Sequence, residues 1–276
     1  MAMLGPNEGH TVQRLYAVGD IHGQIQILDD LLTQIEDDLR RHPTDHAKLI
    51  FTGDYIDRGA DARAVIDRVS RLRESWFHGA EVICLRGNHE QWLIDFIAGE
   101  DNLANWGVKG GRETLLSYGV LREDSEVDFA NSATNAHLRA VLADRMPARH
   151  QHFLASLPLT HSHEGYLFVH AGVDPERPLD DQIDQDLIWI RDKFLTHALP
   201  FGKVVVHGHS CCAQVESHAN RINIDTGIYI QGRLSCVILQ GASRHLLQAV
   251  GEPCARYIQH QGSLVTRKPL LEPTGV

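Results

Sequence analysis

Three times in the first ninety residues, an apolar run breaks at a glycine and delivers a side chain able to ligate a metal. "RLYAVGDIHGQ" (14–24) ends in Asp20 and His22, "KLIFTGDYIDRG" (48–59) in Asp54, and "EVICLRGNHE" (81–90) in Asn88 and His89. Asp20 to Asp54 is 34 residues, and so is Asp54 to Asn88, about the length of one βαβ unit. Between them, Leu28, Leu31, Leu32, Ile35 and Leu39, then Val65, Ile66, Val69 and Leu72, fall at helical spacing. The pattern predicts an α/β chain built on βαβαβ units with parallel strands. Two later runs end alike, "YLFVHAG" in His170 and "KVVVHGHS" in His207 and His209. Ligands of α/β sheets gather beyond the carboxyl ends of the strands. One Asp-x-His after a strand is an ordinary turn; five such endings predict one shared cavity.

Composition narrows the function. With 26 Lys and Arg against 36 Asp and Glu, the formal charge is −10, which argues against a surface for nucleic-acid polymers. No apolar stretch reaches the roughly 20 residues of a membrane span, and "MAMLGPNEGH" has neither the basic start nor the apolar centre of a signal peptide. Five cysteines without framework spacing fit a reducing cytoplasm. None opens a C-x5-R loop, which excludes a cysteine-nucleophile phosphatase, and "FGK" at 201–203 lacks the glycine and hydroxyl of a P-loop. Residues 1–276 read as one domain with a core at about 14–240 and a tail from about 251 to 276. Helical segments at about 99–160 are either an insertion over the rim of the site that shapes substrate choice or helices packed on the sheet. "RINIDTGIYIQGRLSCVILQG" (221–241) reads as a β-hairpin completing a second sheet.

Taken together, "GDIHG", "GDYIDRG", "RGNHE", "VHAG" and "HGHS" resemble the phosphoprotein phosphatase family of two-metal metallophosphoesterases, and in particular its bacterial serine/threonine phosphatases. "HAGVDPERPLDDQ", "LIWIRDKF" and "INIDTGIYIQGRL" extend the resemblance over roughly 14–240. It implies a calcineurin-like metallophosphoesterase fold, a two-sheet β-sandwich flanked by helices. It further implies that Asp20, His22 and Asp54 bind a first metal, and that Asp54 bridges to a second held by Asn88, His170 and His209. His89 matches the family's general acid, Asp57 the carboxylate orienting it, and Arg58 and Arg191 the phosphate clamp, with Asn88 also facing substrate. His207 is expected in the core. Ser210-Cys211 departs from the family's usual Thr-Pro. Cys211 is expected to be a buried small hydrophobe, and its place where related phosphodiesterases carry a second histidine argues against that branch.

The residue types suit the chemistry. Asp20 and Asp54 in one pocket repel by a few kcal/mol at about 4 Å and an effective dielectric near 20, a penalty that bound cations remove. Carboxylate, imidazole and amide ligands suit Mn²⁺, Fe or Zn²⁺. A hydroxide shared by two divalent ions would attack phosphorus directly, the arginines would hold the equatorial oxygens bidentately, and His89 would protonate the leaving alkoxide. The expected activity is removal of phosphate from phosphoserine or phosphothreonine in proteins, with phosphotyrosine included. The alternatives are a symmetrical dinucleoside tetraphosphate hydrolase, for which "INIDTG" speaks, a small-metabolite phosphatase, or a catalytically silent metal-binding scaffold.

Overall fold

The protein was analysed as a computed structural model that describes residues 13–44, 46–74, 76 and 80–254. Most of the 251–276 tail therefore lies outside the described residues. The opening repeat forms β1 (Arg14–Val18), α1 (Ile25–Arg41), β2 (Ala47–Phe51), α2 (Ala62–Glu74), β3 (Glu81–Cys84) and α3 (Asn88–Ala98). There follow α4 (Leu103–Trp106), a five-residue π-turn over Gly107–Gly111, α5 (Arg112–Ser117), α6 (Ser132–Arg145) and α7 (Ala148–Ala155). The second half holds β4 (Thr160–His163), β5 (Tyr166–Val169), α8 (Asp184–Trp189), α9 (Asp192–Leu195), β6 (Val204–His207), β7 (Glu216–Ser217), β8 (Arg221–Asn223), α10 (Ile228–Gln231), β9 (Arg233–Gln240) and β10 (Ser243–Val250).

Two mixed sheets result, β10-β9-β1-β2-β3 and β4-β5-β6-β8-β7, with parallel triplets β1-β2-β3 and β5-β6-β8. Alternation along the strands sorts their side chains between layers. Leu15, Ala17, Ile50 and Ile83 meet Phe168, Val206 and Ile222 between the sheets. Tyr16, Val18, Leu49 and Phe51 face the layer of α1 and α2. On the far side, Leu167, Val169 and Val205 pack on Leu187 and Phe194 of α8 and α9. The stripe of α1, Leu28, Leu31, Leu32, Ile35 and Leu39 with Ile27, is buried. At about 1.5–3 kcal/mol per buried side chain, this packing and not intrinsic propensity holds the helix. Arg14, 4% exposed, ties β1 to the same helix through Asp38 at 2.7 Å. Among the described residues no helix is long and apolar enough to cross a membrane.

Two expectations are corrected. Residues 221–241 are not a hairpin: β8 joins the second sheet beside β6 and β7, while β9 crosses to the first and pairs antiparallel with β1. Gly227 and Gly232, both at positive φ, bracket the short helix that makes this crossing. The hairpin is β9–β10, turning at Gly241. Cys211 is exposed and not buried, and all five cysteines are free thiols. His207 is in the core as expected, its ring 4.9 Å from that of Phe194. Helices at 99–160 join the helix-side core through Trp106, Leu115, Leu138, Leu142 and Phe153.

Candidate active site

Five parallel strands deliver their endings to one buried pocket. Asp20 and His22 follow β1; Asp54, Asp57 and Arg58 follow β2; Asn88 and His89 open α3 after β3; His170 follows β5 and His209 follows β6. All but Arg58 are buried. Reaching inward from a strand end demands sharp turns. His22, Asp54, Asp57, Arg58 and His209 all have positive φ (43–70°), and only Glu164 shares this among the other described non-glycine residues. Each such conformation costs about 1–3 kcal/mol and persists only where its surroundings enforce it. The enforcement is visible. The Asp54 carbonyl accepts from the Ile21 and His22 amides at 3.0 and 2.9 Å. The buried Glu90 carboxylate accepts from the amides of Asp54, Tyr55, Ile56 and Gly87 at 2.8–3.3 Å. A Cβ on Gly87 would lie 2.1 Å from Asp54 Oδ1, and one on Gly208 2.1 Å from Asp20 Oδ1, so these glycines let the carboxylates approach the backbone.

Lone pairs converge here. Nδ1 of His22 and of His170 donate to the carbonyls of Ile56 and Thr52, both at 2.9 Å, which leaves each Nε2 an unprotonated acceptor facing inward. The bare Nε2 of His170 stands 2.9 Å from Asn88 Oδ1 and 3.4 Å from Asp54 Oδ1. Nδ1 of His209 is 2.8 Å from the same Asn88 oxygen, and its Nε2 is buried with no partner. His22 Nε2 and His89 Nε2 lie 3.6 and 3.8 Å from Asp54 Oδ2. Apart from the Arg58 guanidinium, which reaches Nε2 of His22 and of His89, these acceptors face one another, and a cation fits between them, since ligands about 2.1 Å from one ion and at right angles sit about 3 Å apart. Among the described residues, the groupings of His, Cys, Asp or Glu with all ligand atoms within 4.8 Å are His22, Asp54 and His89, and Asp54, His170 and His209. Asp54 is common to both. Asp20 joins neither; its carboxylate accepts the His209 amide at 3.1 Å.

Electrostatics agree. Burial, opposed by Arg58, raises Asp54 to about 8. Asp20 is raised well above the ordinary carboxylate range by burial and by neighbouring Asp225 and Asp54. Burial lowers His170 to about 4 and pushes His22, His89 and His209 well below the imidazole range. Burial thus disfavours an isolated charge of either sign here, and leaves neutral imidazoles beside carboxyls whose ionisation needs a compensating cation. Divalent ions would compensate ionised Asp20 and Asp54 and use the neutral imidazole lone pairs.

Beside these groups, His89 Nδ1 donates to Asp57 Oδ2 at 2.6 Å, and the guanidinium of Arg58 donates to Nε2 of His22 at 2.9 Å and of His89 at 3.1 Å. Arg191 is exposed at the start of α9, and its charge lowers the pKa of His89, His170 and His209 further, after burial. Residues outside the sequence reading complete the surroundings. Trp106 Nε1 donates to Asp57 Oδ2 at 2.7 Å and the Thr114 hydroxyl to Oδ1, so the helical stretch braces this carboxylate directly. Asp225 adds a further buried acid; "INIDTG" contained it, though nothing in the string placed it beside Asp20. Trp92, Trp189 and Tyr229 line the rim, with Arg58 stacked 4.0 Å from the Tyr229 ring.

The calcineurin-like phosphoesterase family model matches residues 13–226. This chain belongs to that family of metallophosphoesterase hydrolases. The serine/threonine-protein phosphatase 2 of Salmonella typhimurium is 26% identical over 231 residues, covering 81% of this chain and 91% of its own length. A symmetrical bis(5'-nucleosyl)-tetraphosphatase of Janthinobacterium is 29% identical over 161 residues, 58% of this chain and 44% of its own. A crystal structure provisionally named a diadenosine tetraphosphatase superposes with a TM-score of 0.58 at 21% identity, over 88% of this chain and 96% of that one, which bears on the fold.

Proposed function

We propose that the protein is a dinuclear-metal phosphomonoesterase acting on phosphoserine and phosphothreonine in proteins. The observation that carries this reading is the His89–Asp57 pair, at 2.6 Å and braced by Trp106 and Thr114. A serine or threonine alkoxide is a poor leaving group and needs a proton as the P–O bond breaks. The polyphosphate leaving group of a dinucleotide is far less basic and needs that proton less. A carboxylate this well held fixes Nδ1–H and stabilises the imidazolium, so that a proton taken up at Nε2, where Arg58 donates at 3.1 Å, is the one that would pass to the leaving oxygen.

In this reading Asp20, His22 and Asp54 hold one ion, Asp54 is shared, and Asn88, His170 and His209 hold the other. The mixed set of carboxylate, amide and imidazole donors suits Mn²⁺, with Fe or Zn²⁺ as alternatives. Bound there, divalent ions supply Lewis acidity and an acidified water as nucleophile. Arg58 and Arg191 neutralise the equatorial phosphate oxygens, which a fixed guanidinium fork does better than an ammonium. Asn88, whose side-chain oxygen lies between His170 and His209, is assigned a contact to substrate as well. The five free thiols support a reducing cytoplasm.

The second reading, dinucleoside tetraphosphate hydrolysis, is favoured by the relative that carries that name. The deciding experiment compares kcat/KM of Mn²⁺-loaded protein on a phosphothreonine peptide and on diadenosine tetraphosphate. The expected result is a preference for the peptide of at least about tenfold, or ~1.4 kcal/mol in transition-state binding. A preference of that size for the dinucleotide overturns the phosphatase reading.

A further inference from the structure

We propose that Asp225 is a further residue of the metal centre, a fixed negative charge beside Asp20 that strengthens cation binding. The proposal rests on the dinuclear-metal reading and deepens it. Six strands form the two parallel triplets, and five of them, β1, β2, β3, β5 and β6, deliver Asp20 and His22, Asp54, Asn88 and His89, His170, and His209. The sixth is β8, parallel to β6, and two residues beyond its end stands Asp225. The ends of β8 and β1 lie against each other: a Cβ on Gly19 would meet the Ile224 carbonyl oxygen at 2.4 Å and the Asp225 amide nitrogen at 3.5 Å. Asp225, 3% exposed, thus comes to Asp20 by the strand-end geometry that places the other pocket residues.

A buried carboxylate needs a compensating charge. Among the described residues Asp225 enters no ion pair. Its Oδ1 accepts the Gly227 amide at 2.9 Å, and its own amide donates to Asn223 Oδ1 at 3.1 Å. A turn of this kind asks only for an acceptor, which asparagine supplies as well as aspartate. The charge is what the turn leaves unexplained, and the pocket feels it. Of the charges around Asp20, that of Asp225 raises its pKa most, ahead of Asp54. Arg58 and Arg191 offset the burial of Asp225 only in part. Two divalent ions carry more charge than Asp20 and Asp54 neutralise, and Asp225 supplies part of the difference.

Asp225→Asn separates charge from turn, since the amide oxygen can keep the Gly227 bond. Mn²⁺ binding to the metal-free full chain is followed by titration calorimetry, with thermal unfolding of the metal-free protein alongside. Affinity for Mn²⁺ is expected to fall about 10- to 100-fold, while the metal-free Tm stays or rises, because a buried charge next to Asp20 is removed. Asp225→Ala, which also deletes the turn's acceptor, should lose Mn²⁺ affinity to the same extent and lower the metal-free Tm as well. An Asp225→Asn protein that binds Mn²⁺ within about threefold of wild type overturns the proposal. So does one that, metal-free, is as unstable as Asp225→Ala or does not fold, which would make the carboxylate a structural acceptor only. Hydrolysis is read separately. If Asp225→Asn weakens Mn²⁺ binding as expected and the loaded wild type leaves a phosphothreonine peptide intact, the phosphomonoesterase reading falls and the charge role of Asp225 stands.

Discussion

Gly87→Ala tests whether close backbone approach is what holds Asp54 in place. The torsions of Gly87, φ −93° and ψ 174°, are open to alanine, so no backbone strain is introduced. The new Cβ would meet Asp54 Oδ1 at 2.1 Å and the Asp54 amide nitrogen at 2.5 Å, where ordinary contact begins at 3.4 Å. The carboxylate must therefore retreat by about 1.3 Å, the shortfall from ordinary contact. Overpacking of this kind costs about 1–3 kcal/mol, a fall in Tm of roughly 2–4 °C per kcal/mol for a chain of this size. Function should suffer far more, since Asp54 belongs to both candidate metal groups and a misplacement of about 1 Å costs roughly 100-fold. The assay is Mn²⁺-dependent hydrolysis of p-nitrophenyl phosphate alongside thermal unfolding. Gly99→Ala is the control: at φ 117° with nothing within 4 Å of its would-be Cβ, it should lose stability through backbone strain and keep activity. A Gly87→Ala protein with kcat/KM within about threefold of wild type would refute the close-approach argument.

Asp57→Asn should place an amide N–H₂ against Trp106 and His89, both donors, or against the Thr114 hydroxyl, which must then turn from donor to acceptor, and in either case it removes the charge that steadies a protonated His89. The expected loss in kcat on a phosphothreonine peptide is about 10²–10⁴-fold, with a smaller loss on p-nitrophenyl phosphate; equal losses would remove the proton-delivery role. Asp38 is pushed up by burial but lowered on balance by hydrogen bonds from Tyr16 and Arg14. Its stabilisation is thus present above the ordinary carboxylate pKa and lost as pH falls through the depressed folded value. Asp38→Asn should cost about 3 kcal/mol at pH 7 by leaving Arg14 without its carboxylate, and urea titrations should show the difference shrinking between about pH 5 and pH 2. Because Asp54 is raised to about 8 by burial and Asp20 is raised too, metal must displace protons. Calorimetry of Mn²⁺ binding in buffers of different ionisation heat should show proton release at pH 7 and weaker binding as pH falls; binding with no released proton would contradict the charge-poor pocket.

What the sequence made legible follows from how local each feature is. The five strand endings were readable because a strand, its glycine and the side chain beyond it are adjacent in the chain, and period-2 and period-3.6 patterns mark both neighbours. The 34-residue interval carried the parallel connectivity of β1, β2 and β3 as well, since one crossover helix fits that length. Pairing between distant strands leaves no such mark. β8 and β9 are nine residues apart yet belong to different sheets, because β9 finds its partner in β1 at the far end of the chain, and apolar alternation names a face without naming a neighbour. The same limit hid the braces. Glu90 stood in plain sight in "GNHE", but that it gathers amides from two loops depends on how β2 and β3 lie side by side. Trp106 and Thr114 reach Asp57 from 49 and 57 residues away. Asp225 comes to Asp20 only because the chain crosses between sheets just there. The side chains that would do the chemistry sit at strand ends, where local rules speak; those that hold them in strained conformations come from wherever the fold brings them, and only the fold reveals them.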